Sequence, residues 1–276
     1  MRTLWSLIAV ALLFPAIAAA GVLERVAETK TLRIGYRADA APFSHEPQKG
    51  VVEGYSVDLC RAVADTLKAD LKLVAIAIQY IRVTAENRFQ ALQNGAIDLL
   101  CGPTTMTVSR RQVVDFSLPI FVDGAGLMIR PGVQVSGLSD LAKMKLSVRA
   151  GTTTERAVRA SFPGADLVTV GDHRDGIAAL KAGTADAYFA DRTLLAYVLH
   201  NDPEAADMQV ADEYLTIEPY ALALPHGDSE FRLTVDKTIS RLFRTPAFKH
   251  VVRRAFGEAQ LGSVIKALFR IMPMPE

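Results

Sequence analysis

Residues 102–117 read GPTTMTVSRRQVVDFS, directly after the apolar run AIDLLC at 96–101. Hydroxyls and backbone N–H groups at the end of a strand can hold an anion. An arginine five residues beyond Thr105 can close over it, because a planar guanidinium matches a carboxylate with two parallel hydrogen bonds. The spacing Thr105-x-x-x-x-Arg110 can therefore hold an anion, while Arg110 read alone is equally a solvated loop arginine and Asp191 a helix N-cap. A second hydroxyl-rich turn, GTTTE at 151–155, follows KLSVRA. Thr152 or Thr153 can cap the helix that starts there, and Glu155 fits a capping box with Thr152. Capping alone accounts for this stretch, but the free N–H groups of a helix start also bind anions. Two such turns on facing lobes could pinch one carboxylate between them.

Regular elements must hold these turns. TLRIGY (31–36) reads as a short strand. GYSVDLCRAVADTLKA (54–69) reads as an amphipathic helix, with Tyr55, Leu59, Val63 and Leu67 on one stripe. LKLVAIAI (71–78) is expected to be a strand. TAENRFQALQNG (84–95) is expected to be a helix with Thr84 as N-cap and Gly95 as its stop. AIDLLC is a buried strand. Alternating strands and helices imply an α/β layer fold with a largely parallel sheet. An internal echo adds to this: ALQNGAIDLLCGP (91–103) resembles ALKAGTADAYFAD (179–191). Each is a helix end, a glycine stop, an aspartate and an apolar strand, so two similar lobes are expected. Pro103 and Asp191 fall just past equivalent strands. Ligands in open α/β sheets sit beyond the carboxyl ends of strands, which brings Pro103, Thr105 and Asp191 to one cleft.

The first twenty residues, MRTLWSLIAVALLFPAIAAA, are Arg2, an uncharged apolar run and three closing alanines. They read as a secretory signal peptide cleaved after Ala20, with a retained anchor as the weaker alternative. The expected mature chain is periplasmic. The full chain carries 31 basic and 30 acidic residues. Removing the leader takes Arg2 and no acid, which leaves equal numbers. That balance gives no support for nucleic-acid binding. Cys60 and Cys101 can form a disulfide in an exported protein or remain inert core thiols. The five histidines show no ligand spacing, so no metal site and no cofactor are expected.

Together these stretches resemble the periplasmic amino-acid-binding proteins of bacterial ABC transporters, the extracellular solute-binding family 3. The resemblance runs from about residue 31 to about 257. It rests on GYSVDLCRAVA, on GPTTMTVSRRQVVDFSLP, and on GTTTE and DAYFADR in the second lobe. It implies a two-lobe type II periplasmic binding fold with two hinge crossings, near FVDGAGLMI and LTIEPYALAL. Lobe 1 would comprise 21–124 and 217–276, and lobe 2 would comprise 125–216. By resemblance, Arg110 pairs with the ligand α-carboxylate, and Thr105, Thr152 and Thr153 add to its grip. Asp191 and the Pro103 carbonyl accept from the α-ammonium.

IGYRADAAPFSH, ENRFQALQNG and GDHRDG are similar to the glutamate/aspartate-binding subgroup. This implies that Arg37, Arg88 and His173 face a side-chain carboxylate. Ala85 and Pro103 stand where the subgroup usually has serine, which leaves glutamate versus aspartate open. The implied protein is a monomer that captures a free amino acid and delivers it to an inner-membrane ABC permease. It has no catalytic residues. Dehydratases on the same fold, or a sensor role, are the alternatives. QLGSVIKALFRIMPMPE, beyond the usual family end, reads as an amphipathic helix packed on lobe 1.

Overall fold

The computed structural model describes residues 21–257 and 261–275. The expected leader lies outside them. The chain begins with α1 (Val22–Thr29), β1 (Thr31–Arg37) and the short strands β2 (Asp39–Ala40), β3 (Ser44–Gln48) and β4 (Val51–Glu53). Then come α2 (Tyr55–Asp70), β5 (Ala77–Val83), α3 (Arg88–Gln93), β6 (Leu99–Cys101) and the long β7 (Val114–Asp123). The next stretch carries β8 (Ala125–Ile129), α4 (Leu138–Leu141), β9 (Lys145–Arg149), α5 (Thr153–Ser161) and β10 (Asp166–Val170). It goes on through α6 (His173–Lys181), β11 (Ala187–Asp191), α7 (Arg192–Asn201) and β12 (Gln209–Val210). The chain closes with β13 (Glu218–Pro225), α8 (Ser229–Phe243), α9 (Pro246–Phe256) and α10 (Ser263–Ile271).

Two five-stranded sheets form the two lobes, in the orders β5-β1-β6-β13-β7 and β10-β9-β11-β8-β12. The first three strands of each sheet are parallel, and the last two strands run antiparallel to their neighbours. The sequence echo has a direct structural counterpart, since β6 and β11 occupy the same third place. The chain crosses between the sheets at Gly124 and again over residues 211–217. The crossings touch: a Cβ at Gly124 would lie 1.9 Å from the carbonyl oxygen of Thr216. Only glycine fits there, so the two connections are held side by side.

Three elements start or end differently from the sequence expectation. β5 begins at Ala77, not at 71, because Lys72 takes a left-handed backbone conformation (φ 53°) in a turn after α2. The inward alternation is then Ile78 and Tyr80, between exposed Ala77, Gln79 and Arg82. α3 begins at Arg88, not at Thr84. Thr84 N–H donates to Asn87 Oδ1 (2.8 Å) and Asn87 N–H to Thr84 Oγ1 (3.3 Å), closing a turn before the helix. Gly95, at φ 64°, does end it. β6 covers only 99–101, because the Asp98 carboxylate accepts from the Arg33 backbone N–H (2.7 Å) and side chain (2.6 Å).

The larger core lies in lobe 1. Phe43, Tyr55, Phe121, Tyr220 and Phe231 are fully buried, and the first four form an aromatic cluster with ring centres 4.9–6.4 Å apart. Tyr55 satisfies its hydroxyl on the Ile120 carbonyl at 2.7 Å. Cys60 of α2 and Cys101 of β6 form a disulfide that spans 41 residues. In the chain-entropy picture such a loop contributes about 4 kcal/mol. α10 packs on this lobe as the C-terminal pattern predicts: Phe269 meets Phe248 at 4.8 Å and Phe243 at 5.3 Å.

Candidate functional site

The carboxyl ends of the strands converge on a cavity of about 430 Å³, counting its mouth. Arg37 closes β1, Arg149 closes β9 and Asp191 closes β11. Arg88 and His173 are the first residues of α3 and α6, and Thr153 is the first of α5. All nine residues singled out in the sequence line this one cavity: Arg37, Arg88, Pro103, Thr105, Arg110, Thr152, Thr153, His173 and Asp191. Strand ends and helix starts put side chains and free N–H groups at the same edge of each lobe.

The lobes meet across the cavity. Asp39 of lobe 1 accepts from Arg37 Nε at 2.9 Å and pairs with Arg149 of lobe 2. Burial opposes ionisation of Asp39, but Arg37 and Arg149 outweigh it and hold the carboxyl well below its usual range. Thr105 Oγ1 and Thr153 Oγ1 stand 3.3 Å apart across the gap. Elsewhere between the lobes, the rings of His45 and Tyr197 lie 6.2 Å apart.

One end of the cavity is cationic. Arg88 is 3% exposed, donates to the Ala85 carbonyl and lies 4.8 Å from the Phe89 ring centre. Burial, followed by repulsion from Arg37, Arg110 and Arg149, pushes its ionisation well below the usual arginine value. Buried polar atoms without a partner among the described residues cluster here: Arg88 Nε, Arg149 Nε and Nη1, and His173 Nε2. His173 Nδ1 lies 2.9 Å from the Tyr188 hydroxyl. Burial and Arg149 push the imidazole down to about 3, so it is neutral at physiological pH. It therefore adds a hydrogen bond to this part of the wall but no charge.

The other end is mixed. Arg110 Nη1 donates to the Thr105 carbonyl at 2.7 Å, and the guanidinium sits 4.9 Å from the same Phe89 ring. It is buried, not a solvated loop arginine, and burial with nearby Arg156 pushes it down to about 10. Asp191 is the N-cap residue of α7 but makes no capping bond. It accepts from Thr154 Oγ1 at 3.2 Å instead. Burial and the Glu218 carboxylate push Asp191 upward. Asp123 beside it is also pushed upward, by burial and by Asp191. Thr152 caps α5 as expected, accepting from Glu155 N–H at 3.0 Å and donating to the Arg149 carbonyl at 2.8 Å. Its hydroxyl proton is committed, and Glu155 reaches Gly151 N–H rather than that of Thr152.

Residues 32–258 match the bacterial extracellular solute-binding proteins, family 3. The chain belongs to this family. It is 32% identical over 227 residues to the L-glutamate/L-aspartate-binding protein of Pseudomonas aeruginosa, covering 80% of this chain and 74% of that one. It is 30% identical over 228 residues to the glutamate/aspartate import solute-binding protein of Salmonella typhimurium, covering 81% and 76%. Among solved structures it resembles an ancestral amino-acid-binding protein described as a precursor of cyclohexadienyl dehydratase. The TM-score is 0.76 at 26% identity, over 86% of this chain and all of that one. The two-lobe periplasmic binding fold expected from the sequence is the fold found.

Three polar residues around the site went unremarked in the sequence: buried Arg149 and Glu218, and half-buried Asp39. Arg149 had a usable signal. It ends the strand before GTTTE, as Arg37 ends β1 and Asp191 ends β11. Asp39 and Glu218 had weaker ones, an acid two residues after Arg37 and an acid within an otherwise apolar crossing.

Proposed function

We propose that this protein captures an acidic amino acid, glutamate or aspartate, between its lobes and delivers it to an inner-membrane ABC permease. The amino-acid-binding class follows from the family and its relatives. One observation supports the acidic side chain. Four buried guanidiniums, Arg37, Arg88, Arg110 and Arg149, line the cavity with one lining carboxylate, Asp191. Arg88 Nε and Arg149 Nε and Nη1 have no partner among the described residues. Buried charged donors left without acceptors are costly, and a second carboxylate on the ligand supplies acceptors for them. An acidic amino acid brings that carboxylate. A neutral side chain brings none, and a basic one adds to the repulsion.

In this reading Arg110 holds the α-carboxylate with N–H groups at the start of α5. Asp191 and the Pro103 carbonyl take the ammonium. The side-chain carboxylate meets Arg37, Arg88, Arg149 and the neutral His173. Ligand contacts on both lobes favour closure by their differential affinity for the closed form. The reading includes export to the periplasm after cleavage of residues 1–20, lobes divided at 124/125 and 216/217, and a monomer.

A calorimetric screen of the twenty amino acids tests it. Glutamate or aspartate is expected to bind at least about a hundredfold tighter than glutamine or asparagine, about 2.7 kcal/mol. Preference for an amide, a cationic or an apolar ligand would refute the acidic assignment and leave the family intact. A buried, raised carboxyl could also serve an enzyme as a general acid, and the ancestral relative makes dehydration the reaction to check. Turnover of prephenate or arogenate would overturn the transport reading.

A further inference from the structure

Behind the cavity wall lies a carboxylate to which the reading above assigns no role. Glu218 opens β13 at the second crossing and is 4% exposed. Its Oε2 accepts from Thr105 Oγ1 of lobe 1 and from Thr153 Oγ1 of lobe 2, the latter at 2.6 Å. Its Oε1 accepts from Thr216 Oγ1 at 2.8 Å. Thr216 Oγ1 in turn accepts from Ala125 N–H, just past the first crossing, at 2.8 Å. One carboxylate thus joins both lobes and both connections.

A hydroxyl has one proton to give. Thr105 and Thr153 give theirs to Glu218. Neither side chain can then donate to a ligand carboxylate, and that group is left to Arg110 and backbone N–H groups. The 3.3 Å approach of the two threonine oxygens becomes two acceptors side by side. Both residues line the cavity together with Pro103 and Asp191. Asp191 is already an acceptor, for Thr154. Such a set of lone pairs suits a donor with several N–H bonds.

We infer that Glu218 is a positioning residue for the ligand ammonium: it fixes the protons of Thr105 and Thr153 so that both oxygens face the cavity as acceptors. The same hydrogen bonds tie ammonium recognition to lobe closure, because the two oxygens come together only when both lobes reach Glu218. This rests on the amino-acid reading of the site but not on an acidic side chain.

The test uses the L-amino acid that binds tightest in the screen, together with its deamino analogue, which keeps the α-carboxylate and lacks the amine. For glutamate the analogue is glutarate, measured by displacement. Glu218→Met keeps the length of the side chain and removes both acceptor oxygens, so the protons of Thr105 and Thr153 are no longer held and can turn towards the cavity. The amino acid is expected to lose at least about tenfold in affinity and the analogue less than about threefold. Thr105→Val and Thr153→Val remove the acceptors with little change of shape and are expected to show the same asymmetry, which covers the case of a Glu218 variant that does not fold. Equal losses for both ligands would mean that the threonines serve the shared α-carboxylate, or that Glu218 only ties the lobes, and would overturn the inference. Failure of every amino acid to bind the parent would overturn the amino-acid reading and this inference with it.

Discussion

Arg149→Met isolates the charge argument for acidic selectivity. Methionine keeps much of the length and bulk of the side chain and removes the cation. Arg149 is 5% exposed, and only its Nη2 has a partner, Asp39. Asp39 also keeps its 2.9 Å bond from Arg37, so the substitution does not leave that carboxylate alone. The loss is the pair of donors, Nε and Nη1, that have no partner among the described residues. A hydrogen bond to a charged group is worth about 1.5–3 kcal/mol. Losing the better part of one or two such bonds to a ligand carboxylate costs about 2–3 kcal/mol, a weakening of about 30-fold to 150-fold. An amide side chain presents one acceptor and no charge, so glutamine should change by less than about threefold through this contact. Loss of the Arg149–Asp39 tie also makes closure harder, but that affects every ligand alike and cancels in the ratio. Calorimetry with L-glutamate and L-glutamine on parent and variant therefore reads the ratio directly. A fall of at least about tenfold in the glutamate-to-glutamine preference is expected. If both ligands weaken by the same factor, Arg149 is a strut between the lobes and the argument from site charge is wrong.

Other expectations concern separate parts of the site. Arg110→Ala should abolish measurable amino-acid binding in a folded protein. Removing one member of a buried charge pair costs about 3–5 kcal/mol, and near-normal affinity would remove Arg110 from the site. Asp191 is pushed upward in the ligand-free protein, whereas a bound ammonium favours its ionised form. Protonation therefore competes with binding: affinity should be level above neutral pH and fall about tenfold towards pH 5. In Asp191→Asn that slope should flatten and binding should be weak throughout; a parent protein whose affinity rises on acidification contradicts the role. Replacing both Cys60 and Cys101 by alanine should lower stability by up to about 4 kcal/mol in denaturant titrations. Ligand affinity in that variant should stay within about twofold, since the bridge joins α2 to β6 within lobe 1.

The fold was legible because the local signals agreed with one another. The stripe of Tyr55, Leu59, Val63 and Leu67 became the buried face of α2, and the echo of 91–103 in 179–191 became two third strands, β6 and β11. Misplaced boundaries arose where side chains competed with backbone pairing. Thr84 and Asn87 closed a turn that delayed α3, and Asp98 took arginine partners that shortened β6. Periodicity does not record such bonds, because they depend on which residues meet across the fold.

The site was legible in its residues but not in its proton arrangement. Thr105 and Thr153 were picked out for their hydroxyls, and a hydroxyl next to an arginine reads naturally as a donor to a carboxylate. Their direction is set by Glu218, more than sixty residues beyond Thr153 and more than a hundred beyond Thr105. Nothing local to GPTTMTVSRR or GTTTE contains that information. Arg149 shows the same limit from the other side. Its position at a strand end was readable, but its effect comes from a partner in the other lobe, Asp39, which also binds Arg37. A cleft between two lobes is therefore specified twice. Local motifs choose which groups line it, and long-range contacts choose what charge and which protons those groups present. Ligand class follows from the second layer, so here the acidic reading draws more support from buried arginine donors that lack acceptors than from any single motif.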